Sequence, residues 1–73
     1  MSGIQAVRRA LGQNIRRLRL GASFTQEQLA ERADLHPVYI SQIERGTKAV
    51  SIETLWKIAK AVRVPMAALM RGL

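Results

Sequence analysis

The chain has 73 residues, enough for one domain whose folding buries only about 60% of the surface the unfolded chain exposes, so its core is small. Cysteine is absent and the only histidine is His36, which excludes a disulfide staple and a thiolate metal site and leaves no partners for a zinc ligand set. Twelve Lys and Arg against five Asp and Glu give a net charge of +7, an excess that favours a polyanionic partner, while so few acids and a lone His leave nothing to pair for acid–base or nucleophilic catalysis.

Ile4, Val7, Leu11, Ile15 and Leu18 recur at spacings of three and four, which predicts a first helix over about residues 4–20 with that stripe turned to the core. Arg8, Arg9, Arg16 and Arg17 fall mostly off the stripe, on a solvated face, and Gly21 marks the stop. Because Arg8 and Arg9 lead into Ala-Leu-Gly-Gln-Asn and more arginine, no secretory signal is read here, and the expected location is cytoplasmic. Nor does any apolar run approach the roughly 18 residues of a membrane span. Thr25-Gln26-Glu27-Gln28 has the spacing of a capping box and opens a second helix, 26–33, that turns Leu29, Ala30 and Ala33 inward. Pro37 suits a first helical position, since its missing N–H and fixed φ cost nothing there. The third helix therefore runs 37–45, with Ile40 and Ile43 inward and Gly46 as its C-terminal stop. Ser51 caps a fourth, 52–62, on which Ile52, Leu55, Ile58, Ala59 and Val62 share a face. Val64-Pro65 breaks that helix and starts a last short one, 65–70, holding Met66, Leu69 and Met70. No strand, repeat or linker interrupts this all-α pattern, and residues 1–73 read as a single domain.

Two short helices joined by about three residues, with small Ala30 and Ala33 at the crossing and Leu35 in the turn, make a helix-turn-helix whose second member can enter a major groove. Three runs sharpen this reading: Thr25-Gln26-Glu27-Gln28-Leu29-Ala30, Tyr39-Ile40-Ser41-Gln42-Ile43-Glu44-Arg45-Gly46 and Ser51-Ile52-Glu53-Thr54-Leu55. In order and spacing they resemble the Xre family, which includes the phage Cro and C1 repressors, over about residues 12 to 70. The resemblance implies a compact five-helix fold like that of the lambda repressor, with the second helix across the phosphate backbone and the third reading double-stranded DNA.

Carried over residue by residue, the resemblance assigns Thr25 and Gln26, at the start of the second helix, to phosphate. On the third helix Pro37, Val38, Ser41 and Gln42 become the base-reading candidates. Gln42 leads them, because its amide can pair bidentately with adenine N6 and N7. Pro37 and Val38 depart from the long polar readers of many relatives, so Val38 is expected to pack on a thymine methyl and recognition to lean on shape. His36 serves near phosphate or as a cap, and Tyr39 matches a backbone-contacting tyrosine of restriction-modification controller proteins. Arg45, Thr47 and Lys48 fall in the loop that the family lays along phosphates. Arg19 and Glu44 match a partly buried structural salt bridge. Met66, Leu69, Met70 and Leu73 are more apolar surface than so short a helix can hide, and with Trp56 at their border they are the expected homodimer interface.

The expectation is thus a homodimeric regulator reading a short inverted repeat, of controller or phage-repressor type, with no cofactor, metal, small-molecule substrate or membrane partner. Its rival is a protein-interaction module of antitoxin or adaptor type on the same fold. A basic membrane-surface protein is disfavoured, because the cations spread over several short capped helices instead of one long polar face.

Overall fold

The computed structural model describes residues 3–73, and the single-domain reading of the chain extends to residues 1 and 2, which lie outside them. Five helices follow in order: α1 Gly3–Gly21, α2 Gln26–Ala33, α3 Pro37–Glu44, α4 Ile52–Val62 and α5 Met66–Leu69. They pack around Ile15, Leu29, Ile40, Ile43, Ile58 and Leu69, all fully buried.

Local chemistry sets the boundaries. At α2 the capping box closes from both sides: Thr25 Oγ1 accepts the Gln28 N–H at 3.0 Å and Gln28 Oε1 accepts the Thr25 N–H at 2.9 Å. His36 Nδ1 caps α3 through the Val38 N–H at 3.1 Å, with Pro37 behind it at the first helical position. Ser51 Oγ caps α4 through the Thr54 N–H at 3.1 Å. The C-termini of α2 and α4 stop without glycine. Asp34 and Arg63 take the left-handed conformation instead, at φ 57° and 61°. The next residues, Leu35 and Val64, donate their N–H groups back to Ala30 O and Ala59 O at 2.8 and 3.0 Å and lay their side chains on the core, which is the Schellman arrangement.

Three expectations change. Of the five-residue stripe on α1, Leu11 and Ile15 are buried and Leu18 packs partly against the core, but Ile4 and Val7 are exposed. Among the described residues no other helix covers these first turns of α1, and both side chains stay in solvent. Second, α3 ends at Glu44 with Arg45 as its cap, and α5 is only Met66–Leu69, between Pro65 and Met70 as caps. Third, Leu69 is withdrawn from the expected dimer interface. Its side chain has no exposed surface, because α5 lies against α1 and α4 and turns this residue inward.

The tightest joint lies between α1 and α3. A Cβ on Gly12 would strike Ile43 O and would stand 2.7 Å from Glu44 O. The substitution Gly12→Ala is therefore expected to lower stability by about 1–3 kcal/mol or more, the range for overpacking. Gly21→Ala, with nothing within 4 Å of its Cβ, should be neutral or stabilising. Urea denaturation of the two variants measures the contrast, and equal stabilities would contradict the close approach.

Candidate nucleic-acid interface

The turn 34–36 sets α3 across α2, so that α3 buries only Ile40, Ile43 and Glu44. Its opposite side carries Val38, 56% exposed, with Pro37, Ser41 and Gln42 half-buried beside it. The start of α2 faces this side: Thr25, Gln26 and Glu27 line one groove together with Pro37, Val38, Ser41 and Arg19. With the Thr25 hydroxyl taken by Gln28, the N–H groups of Gln26 and Glu27 have no intrahelical partner and head the positive end of the helix, a ready anion site.

The loop after α3 is tied down by its own hydrogen bonds. Thr47 donates both its N–H and its hydroxyl to Gln42 O, at 3.0 and 3.1 Å. Tyr39 donates its hydroxyl to Ala49 O at 3.3 Å, and Arg45 Nε reaches back to Ser41 O at 3.4 Å. Arg45, Thr47 and Lys48 are exposed, and the groove shared by α2 and α3, with the bonds from Arg45 and Thr47 to Ser41 O and Gln42 O, joins the candidates for base and phosphate contact into a strip from Thr25 to Lys48. Several of these side chains also have structural duties. His36 spends Nδ1 on its cap, which leaves its other ring nitrogen for a ligand. The hydroxyl protons of Tyr39 and Thr47 go to carbonyls, so these residues shape the loop, and a phosphate would meet oxygen atoms whose hydrogens are already directed elsewhere.

Arg19 and Glu44 meet beneath the strip. Arg19 Nε lies 2.7 Å from Glu44 Oε2 and Nη2 3.1 Å from Oε1, a bidentate pair whose side chains are 8% and 3% exposed. Nη1 donates to Phe24 O at 2.8 Å, and Gln26 Nε2 donates to Glu44 Oε1 at 3.1 Å. Gln26 is thereby braced by the ion pair and keeps one amide hydrogen for a ligand. No buried side-chain nitrogen or oxygen among the described residues lacks a partner.

Two contributors escaped the sequence reading. Asn14 is buried and donates through Nδ2 to both Leu69 O and Arg71 O at 2.9 Å, fastening the end of α5 to α1, while its Oδ1 accepts from Arg17 Nη2 at 3.0 Å. Its position within the apolar stripe of α1, between Leu11 and Leu18, was the available signal. Ile52, assigned to the inner face of α4, is 73% exposed and lines an apolar groove with Glu53, Trp56, Lys57 and Met66.

Residues 15–69 match the family model described as helix-turn-helix. The chain is similar to control protein C.BamHI of Bacillus amyloliquefaciens, 49% identical over 59 residues that cover 80% of this chain and 73% of that one. It is 39% identical to control protein C.SmaI of Serratia marcescens over 56 residues, 77% and 67% of the two chains. Among solved structures, the restriction-modification controller protein C.AhdI from Aeromonas hydrophila superposes with a TM-score of 0.86 at 33% identity, covering 88% of this chain and 97% of that one. The chain belongs to the Xre-type helix-turn-helix family. Xre-type proteins are DNA-binding transcriptional regulators and not enzymes.

Within this Xre-type scaffold the ion pair carries stability as well as the placing of Gln26. Glu44→Gln or Arg19→Met alone strands a buried partner and is expected to cost about 3–5 kcal/mol, whereas replacing both by apolar residues of similar volume should cost far less. A double-mutant cycle in guanidinium checks this, and additive single costs would show that the two groups are not coupled.

Proposed function

We propose that this regulator binds DNA as a homodimer, laying α3 in successive major grooves of a short inverted repeat while α2 and the loop after α3 hold the flanking phosphates. The observation that carries the reading is the strip itself: Val38, Ser41 and Gln42 face outward beside the free N–H groups at the start of α2. Gln42 reads adenine, Val38 packs on a thymine methyl, and Ser41 adapts to either neighbour. Pro37 limits the approach sterically, and His36, through its uncommitted ring nitrogen, joins Thr25, Gln26, Arg45 and Lys48 at the backbone, while Tyr39 and Thr47 hold the loop that presents them. The relatives favour a controller of a restriction-modification system over a phage repressor, and the protein acts in the cytoplasm. No helix among the described residues is long and apolar enough to cross a membrane.

Selection from a random duplex library at about 150 mM salt, where a Debye length near 8 Å weakens nonspecific attraction, is expected to enrich a palindrome with half-sites about one helical turn apart. Gln42→Ala should cost about 1–3 kcal/mol and relax preference at one base pair of each half-site. Binding with no enriched motif would overturn sequence reading and favour a protein-interaction role.

Our reading of a dimer is supported by exposed apolar surface on α4 and after it. Trp56 is 52% exposed and shares the groove of Ile52 and Met66, while Met70 and Leu73 extend the apolar surface at the end of the chain. A second copy related by a two-fold axis buries the same residues on both chains. The variant carrying Ile52→Glu and Trp56→Glu is expected to sediment as a monomer and to bind a single half-site weakly. A wild-type chain that stays monomeric both free and on its operator would remove the dimer from this reading.

A further inference from the structure

The arginines at the start of α1 lie outside every role assigned above, yet the fold brings them to the edge of the recognition strip. Gly46, the first residue beyond α3 and its cap, sits buried at φ 75°. A Cβ there would lie 2.9 Å from Arg9 Cα, 3.0 Å from Arg9 N and 3.3 Å from the Arg8 carbonyl carbon. The backbone of α1 at residues 8 and 9 therefore rests directly on the glycine that separates Arg45 from Thr47 and Lys48. Arg9 is exposed and Arg8 half-buried.

The charges around this contact are all of one sign. Helix α1 contains Arg8, Arg9, Arg16, Arg17 and Arg19 and no acidic residue. Of the five acids, Glu27, Glu31 and Asp34 belong to α2 and its end, Glu53 lies on α4, and Glu44 is already neutralised by Arg19. Among the described residues no carboxylate lies within ion-pair distance of Arg8, Arg9, Arg45 or Lys48. The backbone contact at Gly46 thus brings two cationic positions of α1 beside the segment that carries Arg45 and Lys48, with no paired carboxylate on any of the four, and a polyanion is the partner that such unpaired like charges attract. Arg45 points back along α3 to Ser41 O, so the cluster is continuous with the base-reading face, and the same DNA molecule is the occupant that reaches both.

We propose that Arg8 and Arg9 form, with Arg45 and Lys48, a second phosphate-binding patch that grips the DNA backbone beside the half-site read by α3. The inference rests on the placement of α3 in the major groove proposed above. It assigns to the first turns of α1 the task of adding affinity and salt sensitivity without adding sequence preference. It also gives a reason for those turns to run beyond the core that the rest of α1 packs against.

The test is fluorescence anisotropy with the selected operator and a scrambled duplex, from about 50 to about 200 mM salt. Its subjects are the wild-type chain, the double variant Arg8→Ala/Arg9→Ala and the charge-keeping Arg8→Lys/Arg9→Lys. Alanine suits both helical positions, and circular dichroism and thermal melting confirm that the variants fold. For the alanine variant, the slope of log K against log salt is expected to fall by about 0.9 for each phosphate contact removed, with both duplexes weakened alike and the operator preference kept. The lysine variant should retain most of the slope. A selective wild type whose slope is indifferent to the alanine substitutions overturns this inference alone. Weakening confined to the operator also overturns it, since that would make the arginines base readers. A wild-type chain that binds neither duplex overturns the groove placement and this inference together.

Discussion

The bidentate pair between Arg19 and Glu44 is the joint on which the geometry of this protein depends. It lies at the end of α1 and the end of α3, and its remaining hydrogen bonds go to Phe24 O, in the segment leading into α2, and to the side chain of Gln26, at the first turn of α2. Three helices thus meet at one pair of charges. Taking both groups out of water is expensive, and attraction between them repays that only when the geometry is good and the leftover donors and acceptors are satisfied. Both conditions hold here. What the pair contributes is orientation as much as stability: an apolar contact would tolerate rotation of α3 about its axis, whereas a two-point ion pair with two extra hydrogen bonds fixes it.

Fixed rotation matters because α3 is short and divided sharply. With eight residues, and only Ile40, Ile43 and Glu44 buried, it has too little apolar surface to hold its own orientation. Neighbouring backbone does the remainder. Gly12 lets α1 approach until the carbonyls of Ile43 and Glu44 nearly touch it, His36 caps the other end, and Thr47 and Tyr39 lock the following loop. The side chains left over, Val38, Ser41 and Gln42, already lie at the surface, so in the proposed groove placement little ordering cost would be deferred to binding.

Much of this was legible in the sequence because its signals are local. Apolar residues at helical spacing, a capping box at Thr25 and Gln28, Pro37 at a first turn and Ser51 as a cap each act within a few residues, and the helices they predict are found within a residue or two of those bounds. The Arg19–Glu44 pair was legible only through family resemblance, since a separation of 25 residues leaves no local trace. What the sequence could not convey is how far each stripe is covered. Ile4 and Val7 share the period of Leu11 and Ile15, but among the described residues no other helix covers the turns that carry them. Leu69 looked like surplus surface on a short helix because the space that receives it is made by α1 and α4. Asn14 broke the apolar pattern and was passed over, although a polar residue within such a stripe implies a buried partner somewhere distant in the chain. The contact of Gly46 with Arg9 depends on packing alone, and glycine as a helix stop was a sufficient local explanation for it.

Helix α1 is also the member that relates the two faces of the molecule. Asn14 holds the end of α5, and with it the apolar surface of Met70 and Leu73; Arg19, five residues further on, holds α3 and the recognition strip. Five residues of helix are about 7.5 Å of rigid rise, a short, stiff spacer between the two anchor points. In a two-fold dimer the separation of the reading helices must match one turn of DNA, near 34 Å, and any slack between dimer face and reading face would be doubled by the symmetry. Anchoring both faces to one helix by buried hydrogen bonds, rather than by apolar contacts that can slide, removes that slack. In the proposed dimer the two polar side chains buried on α1 would serve one purpose: to hold a fixed distance between the surface that pairs the chains and the surface that meets DNA.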